Sequence, residues 1–213
     1  MEDLHFGCAF GTICAMGFGR FMFGLFYRIG FTPWEGHALP ARLRELVEGP
    51  DALPRGKALD VGCGTGDTSI YLVRHGWTVT AIDFVHIALE RARAKAAAAG
   101  VGVRFQQADA TQLASSGIGT GFNLIVDSGC LHGMSDEGRA AYVREVSAVA
   151  TPGATLVLVG YSERDRRGPR GFNRPEVERR FGAEWELLGG AEDPSVSRRA
   201  ADPIYVYELR RKS

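Results

Sequence analysis

The sequence has 213 residues, of which 45% are apolar, and its 25 basic and 25 acidic side chains cancel. A chain of this size can bury one large core, and one elaborated domain is favoured over two. Because no positive charge is in excess, neither nucleic acid nor an anionic membrane is an expected partner. The four cysteines are scattered without a C-x-x-C pair, so no disulfide framework and no metal site is predicted, and reduced thiols in the cytoplasm are expected.

The N-terminal part of the chain is apolar and aromatic. Residues 6–27 contain a single charged side chain, an arginine, and five glycines. The acidic residues that precede this stretch argue against a secretory signal, and the arginine and glycines argue against a membrane-spanning helix. We therefore predict a helical lid segment over residues 1–40 that packs on the main domain, residues 41–213, or closes over a ligand. Peripheral membrane contact by this segment stays open.

Short β-rich runs then alternate with longer helical stretches. The predicted strands are residues 57–61, 78–82, 101–106, 122–126 and 155–159, and the predicted helices between them are residues 68–75, 86–99 and 136–150. This alternation indicates an α/β fold with a parallel sheet covered on both faces. A helix at 175–181 follows a charged loop. The last two β-rich runs, 184–188 and 204–209, have no helix between them and are predicted to pair antiparallel at the sheet edge.

The first predicted strand leads into a glycine-rich turn, ALDVGCGTGDTSIYL at residues 58–72. Glycines between a strand and a helix let a ligand approach the backbone and the helix N-terminus closely. A dinucleotide fingerprint needs a glycine where Asp67 stands, and a phosphate loop needs a Lys-Ser/Thr pair. A carboxylate here repels a pyrophosphate but not a cationic nucleoside such as S-adenosylmethionine. Asp67 could equally be an ordinary first-turn residue that complements the helix dipole.

Acidic residues also follow the next two predicted strands. Asp83 ends the second strand, where a carboxylate can accept hydrogen bonds from both ribose hydroxyls. Phe84 offers a ring face to an adenine, and Asp109 lies where it can accept from the adenine amino group. Each of these residues alone could be a helix cap or a turn residue. With the glycine turn they mark the carboxyl ends of consecutive strands, where open α/β sheets bind ligands.

These motifs resemble those of class I S-adenosylmethionine-dependent methyltransferases, from LDVGCGTGDTSIYL through TAIDF and QQADA to FNLIVDSGCLHGM. The resemblance covers about residues 34–160. It implies a Rossmann-like three-layer sandwich with a seven-stranded, mostly parallel sheet in the order 3-2-1-4-5-7-6, whose last strand is antiparallel. The segments FTPWEG, DSGCLHGM and GPRGFNRPEV are similar to the thiopurine and thiol methyltransferase-like branch, whose bacterial members modify small molecules. The implied cofactor is S-adenosylmethionine, and the implied partner is a small-molecule acceptor.

The resemblance also implies roles for individual residues. The positions implied to bind the cofactor are Trp34, Asp60, Gly62, Cys63, Gly64, Gly66, Asp67, Asp83, Phe84, Asp109, Ala110, Asp127 and Ser128. Asp60 would orient the amino group of the cofactor through the turn. Asp127 and Ser128 would lie beside the transferring methyl group, although Asp127 could instead only end its strand.

Methyl transfer is an in-line displacement, so alignment and exclusion of water can supply much of the acceleration. A thiol or acidic phenol acceptor with a pKa near neutrality can react without a general base, whereas an amine or alcohol benefits from one. His132 is the only histidine after the fourth predicted strand and is the candidate base. The candidate catalytic residues are therefore His132 and Asp127, and a structural role for His132 stays open.

The acceptor itself is less well specified by the sequence. Aromatic side chains of the N-terminal segment could roof an apolar pocket, and Phe18 and Phe21 are candidates for this role. The loop at 161–174 carries five arginines against two acidic residues, and Tyr161 and Arg170 are its candidate acceptor contacts. This loop could instead bind an RNA phosphate or be a solvated surface. We favour an aromatic or heterocyclic small molecule that is methylated on O, N or S by a monomer or a homodimer.

Two alternative functions stay open. The chain could be a non-catalytic sensor or partner protein that keeps the cofactor fold, because methyl transfer has no obligatory catalytic residue. A dinucleotide-dependent oxidoreductase is disfavoured by Asp67, which stands where the dinucleotide fingerprint has glycine.

Overall fold

Strands and helices alternate along the chain, as the sequence predicts. The computed structural model describes residues 22–32, 34–36, 38–162, 169–196 and 203–213. The elements in chain order are α1 (described over residues 22–29), α2 (Ala41–Glu48), β1 (Lys57–Val61), α3 (Asp67–Arg74), β2 (Thr78–Asp83), α4 (His86–Ala98), β3 (Arg104–Gln107), β4 (Phe122–Ser128), a 3-10 turn (Leu131–Gly133), α5 (Asp136–Val149), β5 (Ala150–Tyr161), α6 (Arg174–Phe181), β6 (Trp185–Glu192) and β7 (Ile204–Arg211).

The seven strands form one sheet in the order β3-β2-β1-β4-β5-β7-β6. Pairing is parallel from β3 to β5, and β7 pairs antiparallel with both β5 and β6. The predicted strand order and the antiparallel terminal pair are confirmed. Since the chain leaves β1 for β2 on one side and returns to β4 on the other, the ends of β1 and β4 flank a crevice of the kind that binds ligands in such sheets.

Apolar side chains that alternate along the strands cover the two faces of the sheet. Leu59 and Ile125 pack on one face in a cluster that includes Val146 of α5. Ala58 and Leu124 point the other way, into a second cluster that includes α2 and α3. This arrangement is the predicted three-layer sandwich. The core therefore holds the carboxyl ends of the strands in fixed register.

The structure differs from the sequence-based prediction at one helix and at the start of one strand. Helix α2 is not predicted, and it forms because Leu43, Leu46 and Val47 share one buried face. Strand β3 begins at Arg104 rather than at residue 101. The reason is that the Val101 N–H donates to the carbonyl of α4 residue Ala96 and so closes that helix.

The last strands are longer than predicted. Strand β5 begins at Ala150, directly after α5, and its pairing continues to Tyr161 between two neighbouring strands. Strand β6 continues beyond the predicted end at 188 to Glu192, because a register shift between Leu187 and Gly189 lets the pairing with β7 resume.

The described residues 22–32 and 34–36 of the N-terminal segment pack on α4. Tyr27 is buried and clusters with Val85 and Ala88, and Arg91 donates to the Tyr27 carbonyl at 2.6 Å. In the described parts of the chain, no helix is long and apolar enough to cross a membrane. Phe18 and Phe21, two predicted acceptor contacts, lie outside the described residues.

Candidate active site

The glycine turn after β1 forms a narrow cradle. A side chain at Gly64 (φ +52°) would lie 3.1 Å from the Tyr27 hydroxyl and 3.6 Å from Glu35 Oε1. A side chain at Gly62 would lie 3.1 Å from Cβ of Cys130, which follows β4. The cradle therefore lies between the N-terminal segment and the β4 loop, and only residues without a side chain fit these two positions.

The third glycine of the turn has a packing role. A Cβ on Gly66 (φ +83°) would lie 3.2 Å from the Phe105 ring and 3.3 Å from Ala92, so glycine here lets α3 approach its neighbours closely. The side chain of Asp67 is half exposed and forms an ion pair with Lys95 of α4 at 2.5 Å. This geometry favours the interpretation of Asp67 as an ordinary residue of the first helical turn over a role in cofactor binding.

Asp60 and Asp83 are buried at the carboxyl ends of β1 and β2. Asp60 of β1 accepts a hydrogen bond from the hydroxyl of Ser69 in α3 at 2.5 Å. This bond joins the two elements that flank the glycine turn. Asp83 accepts from the Gly64 N–H at 3.0 Å and from the Val85 N–H at 2.8 Å. The carboxylate of Asp83 is thereby fixed against the cradle.

Asp127, at the end of β4, is completely enclosed. Its Oδ1 accepts from the N–H groups of Gly129 and Cys130 at 2.9 and 2.6 Å, and its Oδ2 accepts from the Leu131 N–H at 3.0 Å. Both carboxylate oxygens are thus used by the backbone of the following turn. This geometry favours a structural role for Asp127, at the end of its strand, over a direct catalytic role. Ser128 is exposed beside it.

Three buried carboxyl groups, those of Asp60, Asp83 and Asp127, lie at this edge of the sheet. Burial raises the pKa of Asp60 to about 7, with Asp83 and Asp127 adding repulsion, and burial raises the pKa of Asp127 to about 6. Burial also raises the pKa of Asp83, against its backbone hydrogen bonds. A nearby cation would favour the ionised form of these groups and so oppose the effect of burial on their pKa. The sulfonium and amino groups of S-adenosylmethionine supply such charge, so the cradle and these carboxylates fit that cofactor.

The raised pKa of Asp60 predicts a pH dependence of stability. Between about pH 4 and pH 7 the folded protein holds a proton on Asp60 that the unfolded chain has lost, so stability falls as pH rises through this window. Between pH 5 and pH 8, the free energy of unfolding should therefore fall less in Asp60→Asn than in wild type, by about 1 kcal/mol or more. Urea unfolding at each pH measures it.

Asp193 provides the control for this experiment. Hydrogen bonds from Ser195 and Ala41 outweigh burial and lower the pKa of Asp193, so its titration affects stability only at lower pH. Asp193→Asn should leave the slope between pH 5 and pH 8 unchanged. An equal slope in wild type and Asp60→Asn would mean that Asp60 is already ionised in the folded protein.

The predicted adenine side lies at the ends of β2 and β3. Asp109 accepts at Oδ1 from the N–H and the hydroxyl of Thr111, at 2.9 and 2.7 Å, which fixes this turn. Ala110 is buried in the core, so only its backbone can meet a ligand. The ring of Phe84 lies 5.7 Å from that of Phe23 in an edge-to-face contact. The N-terminal segment thus reaches the predicted adenine pocket.

Trp34 and Tyr27 form the inner face of the N-terminal segment. The Trp34 Nε1–H donates to the Tyr27 hydroxyl at 3.0 Å, and the Trp34 ring lies 5.2 Å from that of Phe23. Burial raises the pKa of Tyr27, so its hydroxyl stays protonated. The sequence analysis identified Trp34 but missed Tyr27 and Glu35, and within the aromatic run only the hydroxyl of Tyr27 could have distinguished it.

An aromatic wall follows β4 and β5 on the other side of the cradle. The His132 ring stacks on the Tyr161 ring, with centroids 5.2 Å apart and an interplanar angle of 22°. A Cβ on Gly160 would lie 2.7 Å from the Phe172 ring and 3.2 Å from Cβ of His132. We call the partly exposed His132 and Tyr161, together with the buried Phe172 that packs beside them at Gly160, the aromatic wall. Two predicted residues, His132 and Tyr161, are therefore brought together.

The two cysteines at this edge are not activated as nucleophiles. Burial raises the pKa of Cys63 and of Cys130 well above the usual range of a thiol, and neighbouring carboxylates raise both further. Both therefore stay protonated, and the side chain of Cys130 packs on the glycine turn. Within the described ranges, no group of three or more His, Cys, Asp or Glu residues could hold a metal ion.

Sequence reasoning also missed a buried arginine beneath the aromatic wall. Arg139 of α5 is completely buried and pairs with Glu176 of α6 at 2.9 Å. The predicted acceptor contact Arg170 donates to the same Glu176 at 2.8 Å and to Asp136 at 3.1 Å. A signal was present, since Arg139 falls on the apolar stripe of α5 that continues with Tyr142.

Comparison with known proteins identifies the family of this chain. A family profile described as a methyltransferase domain matches residues 58–153. A 2-heptyl-1-hydroxyquinolin-4(1H)-one methyltransferase of Mycobacteroides abscessus is 30% identical over 161 residues, which are 73% of this chain and 69% of that protein. A ubiquinone biosynthesis O-methyltransferase of Xanthomonas campestris is 34% identical over 123 residues, 57% of this chain and 50% of that protein.

A solved structure shares the fold. The 1,6-didemethyltoxoflavin-N1-methyltransferase of Burkholderia thailandensis, with its bound 1,6-didemethyltoxoflavin and S-adenosylhomocysteine, superposes with a TM-score of 0.77 at 21% identity. The match covers 100% of this chain and 94% of that chain. At this identity the likeness is one of architecture.

Proposed function

Because this chain belongs to the family of S-adenosylmethionine-dependent methyltransferases, we propose that it methylates an aromatic or heterocyclic small molecule bound against the aromatic wall. The observation that carries this proposal is the continuity of the glycine cradle with that wall. Cys130 packs on Gly62, and His132, two residues later, stacks on Tyr161. An acceptor lying on the wall is therefore next to the cofactor.

The residues of the cradle would hold and orient S-adenosylmethionine, which supplies a methyl group on a positively charged sulfur. Asp83 would accept hydrogen bonds from the ribose, and the backbone at Gly62 and Gly64 would hold the methionine part. The three buried carboxylates favour the cation, and Tyr27 and Trp34 cover it and exclude water. His132 takes the proton of an acceptor that does not lose it spontaneously.

Two further points belong to the proposal. Residues 1–40 act as a lid on the domain formed by residues 41–213, because the described part docks at the cofactor edge with its aromatic side chains. The hydroxyquinolinone in the name of the Mycobacteroides relative supports a flat acceptor with an ionisable oxygen or nitrogen. Hydroxyquinolones are therefore the first acceptors to test.

A screen of acceptors with methyl-labelled S-adenosylmethionine tests the proposed function. Hydroxyquinolones, other phenols, N-heterocycles and thiols are compared, with an aliphatic alcohol as the acceptor expected to fail. Labelled product from a flat aromatic acceptor supports the proposal. Cofactor binding without product from any acceptor would favour a non-catalytic role.

The cofactor side predicts a large effect at Asp83. We expect Asp83→Ala to weaken S-adenosylhomocysteine binding by about 1.5 to 3 kcal/mol, because a charged acceptor of ribose hydrogen bonds is lost. Calorimetry measures the affinity, and Asp67→Ala is the matched control, since Asp67 pairs with Lys95 outside the cradle. An unchanged affinity in folded Asp83→Ala would remove Asp83 from the site.

A further inference from the structure

Arg139 is an unusual residue for the interior of the fold. Its side chain is fully buried on the face of α5 that also buries Tyr142 and Val146. Removing a guanidinium from water is costly unless its N–H groups are paired. Burial therefore lowers the pKa of Arg139, while the hydrogen bond and charge of Glu176 act against this effect.

The guanidinium joins three separate segments of the chain. Its Nε donates to the Met134 carbonyl at 3.2 Å, and its Nη2 donates to the carbonyls of His132 and Gly171 at 2.9 and 2.8 Å. Its Nη1 donates to Glu176 Oε1 at 2.9 Å. One planar group thus fixes both the 3-10 turn that carries His132 and the loop at 169–172.

That loop in turn sets the rest of the aromatic wall. The Gly171 N–H donates to the His132 carbonyl at 3.3 Å, and the Phe172 N–H donates to the Tyr161 carbonyl at 3.1 Å. A Cβ on Gly171 (φ +76°) would lie 2.3 Å from the Ser162 carbonyl oxygen, so the loop lies directly on the end of β5. A displacement of Gly171 would therefore move both Phe172 and Tyr161 relative to His132.

Glu176 anchors the guanidinium from α6. Asn173 caps this helix by accepting from the Glu176 N–H at 2.9 Å, and Glu176 Oε1 also accepts from Arg170 and Arg180 at 2.8 and 2.7 Å. Burial raises the pKa of Glu176, but the hydrogen bonds from Arg180 and Arg139 outweigh it, so the carboxylate stays ionised. The partner of Arg139 is thus itself held in place.

We propose that Arg139, held by Glu176, is a positioning residue for acceptor binding: it sets the distance and angle between His132 and the rest of the aromatic wall. This inference rests on the proposed function, in which the wall binds the acceptor. Apolar residues of similar volume can replace a buried ion pair with little loss of stability. A multidentate guanidinium, however, fixes the relative position of two loops, which apolar packing does not.

The test compares Arg139→Lys and Glu176→Gln with wild type. Lysine keeps the charge but lacks the planar fork that reaches His132 and Gly171 together, and glutamine keeps an acceptor oxygen for Arg139. We expect Arg139→Lys to lower acceptor kcat/KM about 10- to 100-fold, and Glu176→Gln to lower it less. Affinity for S-adenosylhomocysteine should change less than about twofold, because neither residue contacts the cradle.

Arg42 provides the matched control. It donates to the buried Glu208 at 2.7 Å between α2 and β7, in a pair that the proposed acceptor site does not include. Arg42→Met should leave both acceptor kcat/KM and cofactor affinity unchanged at temperatures where all the variants are folded. If acceptor kcat/KM falls in the Arg42 and Arg139 variants alike, each in proportion to its loss of stability, the positioning role is wrong.

Hydrogen exchange supplies a readout that does not depend on turnover. Glu176→Gln and Arg139→Lys should raise exchange together at residues 130–134 and 170–172, while residues 62–66 keep their protection. If wild type methylates nothing but these two loops still respond together, the proposed function fails, and only the coupling of the two loops by Arg139 stands. If wild type methylates an acceptor and both variants keep its kcat/KM, or if only one loop responds, the positioning role is wrong.

Discussion

Deletion of residues 1–34 is expected to lower methyl transfer about 100-fold or more while the sheet stays folded. The described part of this segment lies over the glycine cradle: the Tyr27 hydroxyl lies against the position that a side chain on Gly64 would take. Its aromatic rings also cover Phe84. Without the segment, water enters the cradle and the cofactor loses one wall.

The packing of the sheet explains why the truncated protein should fold. In the described part of the chain, the two apolar clusters on the sheet include no residue before Leu39, whereas Tyr27 belongs to a small separate cluster with Val85 and Ala88. Turnover of the truncated protein is measured with its circular dichroism. Arg28→Ala, an exposed change on α1, is the control and should keep full activity.

Hydrogen exchange separates a lid from a permanent part of the core. If the segment is a lid, residues 22–36 become protected when S-adenosylhomocysteine is added. High protection without ligand, together with unfolding of the truncated protein, would make the segment part of the core. Protection that needs lipid vesicles would instead support peripheral membrane contact.

The features that the sequence predicts correctly are those that short stretches of chain determine. Alternating apolar runs set the strands, and the terminal pair without a helix between its strands had to be antiparallel. The position of Asp83 follows from the end of β2 alone. Local pattern is therefore sufficient for the order of the sheet and for the position of Asp83 at the carboxyl edge of its strands.

The features that the sequence leaves undetermined depend on contacts between distant segments. The contact of Tyr27 with Gly64 requires the docking of α1 on α4, and the ion pair of Arg139 requires α6 to pack on α5. Asp127 shows the same limit within one loop. Its carboxylate could face a ligand or its own backbone, and only the conformation of the following turn selects the second.

His132→Ala should lower turnover of an aromatic alcohol or aromatic amine acceptor about 100-fold or more and leave cofactor affinity unchanged. The reason is that such acceptors hold their proton until the methyl group arrives, so a positioned base contributes to the rate. A thiol or acidic phenol with a pKa near neutrality is substantially ionised before transfer and should lose little. Initial rates over an acceptor series of increasing pKa measure the effect.

The His132→Phe variant distinguishes proton removal by His132 from the stacking of its ring on Tyr161. A phenyl ring can keep the stacking on Tyr161 but cannot accept a proton, so this variant should be as slow as His132→Ala with weakly acidic acceptors and close to wild type with thiols. A small loss of equal size across the whole series in both variants would assign His132 a structural role. Full activity of His132→Phe with every acceptor would assign it to the wall alone, since stacking without a proton acceptor would then be sufficient for methyl transfer.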